Sequence, residues 1–315
     1  MIDLELSWHQ AAATAGALAL GTVALRRSRR PKLVAASTFT QESALVLALF
    51  ALWQYAGSFA VMGPDGALGR ARWIWSAERT AHLPSETWVQ GLFLPHPLLV
   101  QFFNLYYDSL HFPVLITCLV WLFVRHRDAY RRWRTTLVVF TGACLAIQLV
   151  PVAPPRMLAG TGLVDTAVLY HQSVYGTVAG FNADELSAMP SVHVGWAVLV
   201  AVAVITTARS RWRWLALAYP AATTLAVVVT ANHFWLDGIV AAAVLGLALL
   251  GQAAGRAALA RARARAQASD SGLFPARRTW HDPGTSLPTS ARGPNGDISS
   301  GVGDSRPAPE RHRSA

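Results

Sequence analysis

Long apolar stretches that carry almost no charge constrain the fold of this chain more than any other feature. Several windows continue in this way for about eighteen residues or more, close to the length that a helix needs to cross a bilayer. Apolar residues make up 53% of the chain and charged residues only 14%. We therefore predict an all-α fold, a polytopic transmembrane helical bundle of about six to seven spans. The predicted spans are 8–25, 41–62, 97–124, 135–152, 190–208, 213–231 and 234–254.

Two segments outside these windows differ from them in composition. Residues 65–96 carry several tryptophans and scattered charge, which predicts a helix lying in the membrane interface. From about residue 268 the chain is rich in Ser, Pro, Gly and Arg, which indicates a disordered tail. We divide the chain into N-terminal transmembrane helices (1–64), the interfacial segment (65–96), a transmembrane core (97–255) and a basic, disordered cytoplasmic tail (256–315).

The basic residues predict the orientation of the bundle. They cluster after the first, third, fifth and seventh predicted spans, at 26–32, 125–134, 209–213 and 256–265. With seven spans these clusters all fall on one side, which the positive-inside rule makes cytoplasmic. Topology and the anionic lipids of the inner leaflet explain the net charge of +10, so we expect no nucleic-acid partner. We expect an integral protein of a bacterial plasma membrane.

Two short motifs bring ionisable residues to the ends of apolar helices. Met-Pro-Ser-Val-His at 189–193 contains Ser191 and His193, and Asn-His-Phe-Trp-Leu-Asp at 232–237 contains His233 and Asp237. An ionisable residue is costly to keep at such a position, so a chemical role is the first interpretation. The predicted topology opens both motifs on the non-cytoplasmic face, where the two histidines can share one pocket.

The residue types in these motifs suit phosphoryl transfer. His233 and Asp237 are four residues apart, so on a helix one ring nitrogen can donate to the carboxylate while the other is free as a nucleophile or base. The free amides near His193, in the first turn of its helix, favour an anion. Arg156 follows a proline turn on the same face, and its planar guanidinium suits phosphate oxygens.

These residues resemble the type 2 phosphatidic acid phosphatase superfamily of membrane phosphoesterases, and most closely the branch that contains inositol phosphorylceramide synthase and its bacterial relatives. The resemblance covers roughly residues 90–255 and rests on Ala-Pro-Pro-Arg-Met at 153–157 and on the two motifs above. It implies a phosphatase- or phosphotransferase-like catalytic core. It also implies that His233 attacks phosphorus to form a phosphohistidine, that Asp237 orients it, that His193 protonates the leaving oxygen, and that neither a metal ion nor another cofactor is needed.

The sequence departs from the broad superfamily pattern at positions that usually carry a basic residue. Leu149 stands where a lysine is usual, and Val227 where an arginine is usual. These departures are similar to those of the inositol-transferring branch.

The third predicted span carries polar residues at helical spacing. Asn104, Asp108 and His111 are expected to face one side of that helix. We predict that Asp108 and His111 line a pocket for an alcohol acceptor such as inositol. The alternative is that they only link neighbouring helices.

Structural interpretations also stay open for the motif residues. The pair of His233 and Asp237 would then stabilise a helix junction. Ser191, with His193, would form a helix cap. Arg156 would be an interfacial anchor that extends to the lipid headgroups.

The sequence therefore predicts an integral membrane enzyme that transfers a phosphoryl-containing group from or to a lipid phosphate or a phosphatidylinositol-type substrate. A bound alcohol as acceptor makes it a transferase, and water as acceptor makes it a lipid phosphate phosphatase. The alternative from another class is a transporter that relays protons through Asp108, His111, His233 and Asp237. A transporter is expected to have its polar site near the midplane between repeats, and we detect no repeat here.

Overall fold

The computed structural model describes residues 7–57, 66–172 and 186–273, and within these residues the fold is all-α without a β-strand. This confirms the predicted fold class. The chain divides into two units, residues 1–261 and 262–315. The helices are α1 (Trp8–Arg26), α2 (Pro31–Gly57), α3 (Ala67–Thr80), α4 (Glu86–Phe93), α5 (Pro97–Ser109), α6 (His111–Arg125), α7 (Arg127–Gln148), α8 (Thr166–Leu169), α9 (Val192–Thr207), α10 (Ala218–Val229) and α11 (Trp235–Leu273). Short 3-10 helices cover Pro155–Met157 and Arg211–Leu217.

Two helical segments of the described chain, 211–229 and 235–267, are long and apolar enough to cross a membrane. The pair α5 and α6 makes a third if its two helices count as one span. The apolar helices Ala36–Leu52 and Val192–Thr207 are shorter. The structure therefore supports two to three spans by length and composition, and the count of six to seven stays a prediction.

The predicted single helix over 97–124 is wrong, because α5 and α6 meet at an angle of 50°. Pro113 lies in the first turn of α6 and has no N–H to donate to the carbonyl of Ser109, against which its ring also clashes. The predicted interfacial helix over 65–96 is likewise two helices, α3 and α4, separated by a turn that contains Pro84.

Helix α9 packs closely against α7. Ser191 caps α9 by accepting a hydrogen bond from the N–H of Val194 at 3.4 Å, and the indole of Trp196 donates to the hydroxyl of Thr141 on α7 at 3.0 Å. Between these contacts the buried ring of Phe140 lies directly on the backbone at Gly195. This contact fixes the position of α9 along α7, and with it the position of His193 in the first turn of α9.

Helix α10 ends in a Schellman motif that leads directly into the second sequence motif. The N–H of Ala231 donates to Val228 O at 3.0 Å, and the N–H of Asn232 donates to Val227 O at 3.0 Å. Ala231 has φ 52°, in the left-handed region that glycine usually occupies at this position. This left-handed conformation is strained. It turns the chain so that His233 points into the protein, where it is 4% exposed.

We predict that Gly195→Ala destabilises the protein by about 1–3 kcal/mol, as expected for overpacking of a filled core. A Cβ at this position would lie 2.0 Å from Cζ of Phe140. Gly142→Ala in α7 is the matched control, because a Cβ there meets no atom within 4 Å, and it should be neutral or slightly stabilising. Thermal unfolding in detergent micelles measures both. Equal midpoints for the two variants would contradict the close packing.

Candidate active site

His233 is oriented by two acceptors on the same ring nitrogen. Its Nδ1 lies 2.7 Å from the carbonyl oxygen of Ala188 and 3.3 Å from Oδ2 of Asp237. A carbonyl oxygen can only accept, so Nδ1 carries a proton, and in the neutral ring the lone pair is on Nε2. Nε2 is buried and has no hydrogen-bond partner among the described residues. The ring therefore presents an unused nucleophilic nitrogen.

Asp237 lies in the first turn of α11 and is fully buried. Its Oδ2 accepts a hydrogen bond from the N–H of Phe234 at 2.8 Å, in addition to its contact with His233. The backbone oxygen of Asp237 accepts from the N–H of Ser191 at 3.1 Å. The start of α11 and the cap of α9 are thus bonded directly, so the two motifs form one unit.

His193 lies beside His233, in the pocket where the sequence suggested they would meet. The ring centroids are 5.7 Å apart. The ring of His193 also contacts Tyr107 at 4.4 Å and His111 at 4.7 Å between centroids. Its Nδ1 is buried without a hydrogen-bond partner in the described part of the chain.

Arg156 is held against the second motif. Its Nη1 donates to Oδ1 of Asn232, and its Nε lies 3.2 Å from Oδ2 of Asp165. Asn232 is fixed in turn, because its Nδ2 donates to the hydroxyl of Thr230 at 2.8 Å. The side chain of Arg156 is 4% exposed, so the guanidinium lies inside the protein, bonded to the residue that precedes His233, and does not extend over the surface.

His111 belongs to this cluster, whereas Asn104 does not. Nδ1 of His111 lies 3.2 Å from the hydroxyl of Tyr219, and its Nε2 is buried without a partner among the described residues. Asp108 lies across the bend between α5 and α6 and is only partly buried. Asn104 instead bonds Thr166 at the start of α8. The bend places His111 on a different helix from Asn104 and Asp108, and the expectation that all three face one side stays a prediction.

Several residues of the site carried no signal in the sequence. Tyr107 and Tyr219 border the histidines, yet an aromatic residue in an apolar helix is ordinarily part of the core. Glu78 and Glu86 are also fully buried, and Oε1 of Glu78 accepts from the N–H of Leu236 at 2.7 Å. Asn232 is the first residue of the second motif, and this position was the one signal in the sequence for its place at the site.

In the described residues, no group of three or more His, Cys, Asp or Glu side chains is arranged to hold a metal ion. This includes the cluster of His111, His193 and His233.

A family model described as the PAP2 superfamily matches residues 72–251. The match covers more than half of the chain and includes every predicted site residue, so the protein belongs to the PAP2 superfamily. This confirms the predicted superfamily and indicates phosphoryl transfer or phosphatase activity on lipid phosphates. No curated protein and no solved structure matches the chain.

We predict that His233 keeps its proton on Nδ1 when Asp237 is replaced by asparagine. The hydrogen bond to the Ala188 carbonyl remains in Asp237→Asn, and a bond of about 1.5 kcal/mol preserves this tautomer in about nine rings of ten. Nitrogen NMR of histidine-labelled protein measures the tautomer, and the spectrum of His233→Gln identifies the His233 signal. A ring protonated on Nε2 in the Asp237→Asn protein would show that the carboxylate alone sets the tautomer.

Proposed function

We propose that the protein is an integral membrane phosphotransferase that acts on lipid phosphates or phosphodiesters through a phosphohistidine at His233. The observation that carries this proposal is the free Nε2 of His233, on a ring whose Nδ1–H is held by Ala188 and Asp237. Membership of the PAP2 superfamily supports the enzyme over the transporter.

The first proposed step is attack of the Nε2 lone pair of His233 on phosphorus. The phosphorus–oxygen bond to the leaving group breaks, and His193 donates its proton to that oxygen. Positive charge that develops on the His233 ring is stabilised by Asp237 and by the Ala188 carbonyl. The ring separation of 5.7 Å supports the assignment of both histidines to one phosphoryl group.

In the second step the acceptor hydroxyl gives its proton to His193, which is now neutral, and its oxygen attacks phosphorus. The bond from phosphorus to Nε2 breaks, and His233 returns to its starting state. The same residue thus acts first as an acid and then as a base.

Arg156 and Ser191 are proposed to bind phosphoryl oxygens. Asn232, the residue before His233, and Asp165 hold the guanidinium of Arg156 in place, which supports a preformed anion contact. Ser191 caps α9, and its hydroxyl hydrogen is proposed to donate to the bound phosphoryl group.

The proposed acceptor is an alcohol such as inositol, in a pocket that includes Asp108 and His111. The hydroxyl of Tyr219 beside His111 supports a polar pocket there. Val227, where a basic residue is usual, is buried in apolar surroundings, so this position offers no charge to a phosphate. Water in place of the alcohol would make the protein a lipid phosphate phosphatase.

The proposed location of the site is the non-cytoplasmic face of a bacterial plasma membrane. The one-sided distribution of basic clusters supports this orientation. Cysteine labelling at Gly160 from outside intact cells, compared with labelling near the carboxyl terminus, tests it.

We predict that His233→Ala abolishes turnover, and that His193→Ala lowers it by at least about 10²-fold, as expected for loss of a general acid. Radiolabelled phosphatidic acid should leave an acid-labile phosphoenzyme on the wild type and none on His233→Ala. His171→Ala is the matched control, because His171 lies in the loop after α8, and it should behave as the wild type. Phosphoenzyme on the His233→Ala protein would end the covalent mechanism.

We predict that the wild type, given phosphatidic acid or phosphatidylinositol with saturating inositol, forms a transfer product faster than it releases inorganic phosphate. A bound alcohol competes with water through its orientation and proximity. Asp108→Asn should shift the product ratio toward hydrolysis by about tenfold, whereas Asp128→Asn, an exposed change in α7, should not. Release of inorganic phosphate alone by the wild type would make the protein a phosphatase.

A further inference from the structure

A pair of buried glutamates lies behind the second motif, outside the chemistry proposed above. Glu78 in α3 and Glu86 in α4 are both 0% exposed. Each has one oxygen in use: Oε1 of Glu78 accepts from the N–H of Leu236 at 2.7 Å, and Oε2 of Glu86 accepts from Nη2 of Arg79 at 2.7 Å. Two carboxyl groups are rarely buried together without a stabilising partner for each.

The other oxygen of each carboxyl group has no hydrogen-bond partner among the described residues. These atoms, Oε2 of Glu78 and Oε1 of Glu86, are both buried. Nη2 of Arg79 lies 2.7 Å from Oε2 of Glu86 and 4.0 Å from Oε2 of Glu78, so this cation serves both carboxyl groups. One positive charge balances only one of two buried carboxylates, so the pair holds one proton.

The charges around the pair decide which glutamate keeps this proton. Arg79 forms an ion pair with Glu86 at 2.7 Å and is 4.0 Å from Glu78, so Glu86 has the better cationic partner. Asp237 adds a further carboxylate on the side of α11. Burial above all, then the neighbouring carboxyl group of Glu86, raises the pKa of Glu78 from 4.5 to about 9. Glu78 is therefore the protonated member.

The hydrogen bond from the N–H of Leu236 to Glu78 connects this pair to α11, the helix that carries Asp237. Leu236 lies in the first turn of α11, where backbone N–H groups have no partner within the helix. Glu78 satisfies this group from a different helix, directly beside Asp237. The indole of Trp235 donates to Pro84 O at 2.8 Å, between α3 and α4. Two consecutive residues of α11 are thus fixed by the α3–α4 segment.

We propose that Glu78 and Glu86 are positioning residues, a buried carboxyl pair with one proton that fixes the start of α11 and so keeps Asp237 and His233 in place for phosphoryl transfer. The effect on phosphoryl transfer rests on the proposed function. The fixed position of the start of α11 rests on the contacts alone.

The sign of the pH dependence follows from the raised pKa of Glu78. Between about 4.5 and about 9 the folded protein keeps this proton while the unfolded chain has lost it. The free energy of unfolding therefore falls as the pH rises through this window. Above about 9 the ionised Glu78 faces Glu86 and Asp237, with Arg79 as the cation beside the pair, and the start of α11 loosens.

The test compares Glu78→Gln with Glu78→Ala in the full-length protein in detergent micelles, with phosphatidic acid as the probe. A glutamine imitates the protonated acid, because its oxygen can accept from Leu236 and its amide brings no second negative charge beside Glu86. We expect Glu78→Gln to keep phosphoenzyme formation at neutral pH and to extend it above pH 9, where the wild type declines. Glu78→Ala should lose about 10²-fold at neutral pH, the effect of a displaced catalytic group.

Glu42→Gln is the matched control, because Glu42 pairs with Arg134 between α2 and α7, and it should keep the alkaline decline of the wild type. The unfolding midpoint against pH gives a second readout that needs no substrate: its fall between pH 5 and 9 should be flatter in Glu78→Gln. The same alkaline decline and the same slope in Glu78→Gln as in the wild type would overturn the proposal. A second outcome separates the two proposals. If the slope of the unfolding midpoint is flatter in Glu78→Gln as expected, but the wild type forms no phosphoenzyme, then the proposed function is overturned and the structural role of the carboxyl pair is kept.

Discussion

The hydrogen bond from Nδ1 of His233 to the carbonyl oxygen of Ala188 is the contact on which the rest of the site depends. It joins residues 45 positions apart and connects the two motifs within an otherwise apolar bundle. A buried polar group without a partner is expensive, so an arrangement that satisfies this nitrogen is strongly preferred over others. The bond from Ser191 to the backbone of Asp237 repeats the connection. The starts of α9 and α11 are therefore fixed relative to each other before any substrate binds.

Strain at the end of α10 complements this connection. A non-glycine residue in the left-handed region costs about 1–2 kcal/mol, and Ala231 adopts it where the chain must turn His233 inward. The Schellman bonds and the contact from the N–H of Arg156 to Ala231 O at 3.1 Å stabilise the turn. The same turn thus orients His233 and bonds Arg156 through Ala231 and Asn232.

The sequence predicted the helical class, the superfamily and the meeting of His193 with His233, because these depend on local patterns. Apolar windows and short motifs can be recognised from consecutive residues. Helix ends that lie on the same face of a helical bundle are close to each other. The bend before His111 could have been foreseen from Pro113, which removes a helical hydrogen bond. The burial of Glu78 could not, because a glutamate in a segment of mixed charge has the pattern of a solvated residue, and its partners come from distant parts of the chain.

The contact between Glu78 and Leu236 spans 158 residues and has a consequence for biosynthesis. The motifs at 189–193 and 232–237 lie late in the sequence, whereas the segment that fixes the start of α11 is translated well before them. A nascent chain that has emerged only as far as α9 contains Arg156 and His193 but neither His233 nor Leu236, the partner of Glu78. The cluster of His193 and His233 therefore forms in one late step, when α11 packs against α3 and α4. Under the proposed mechanism, no partly synthesised chain has the nucleophile with which to attack a lipid phosphate.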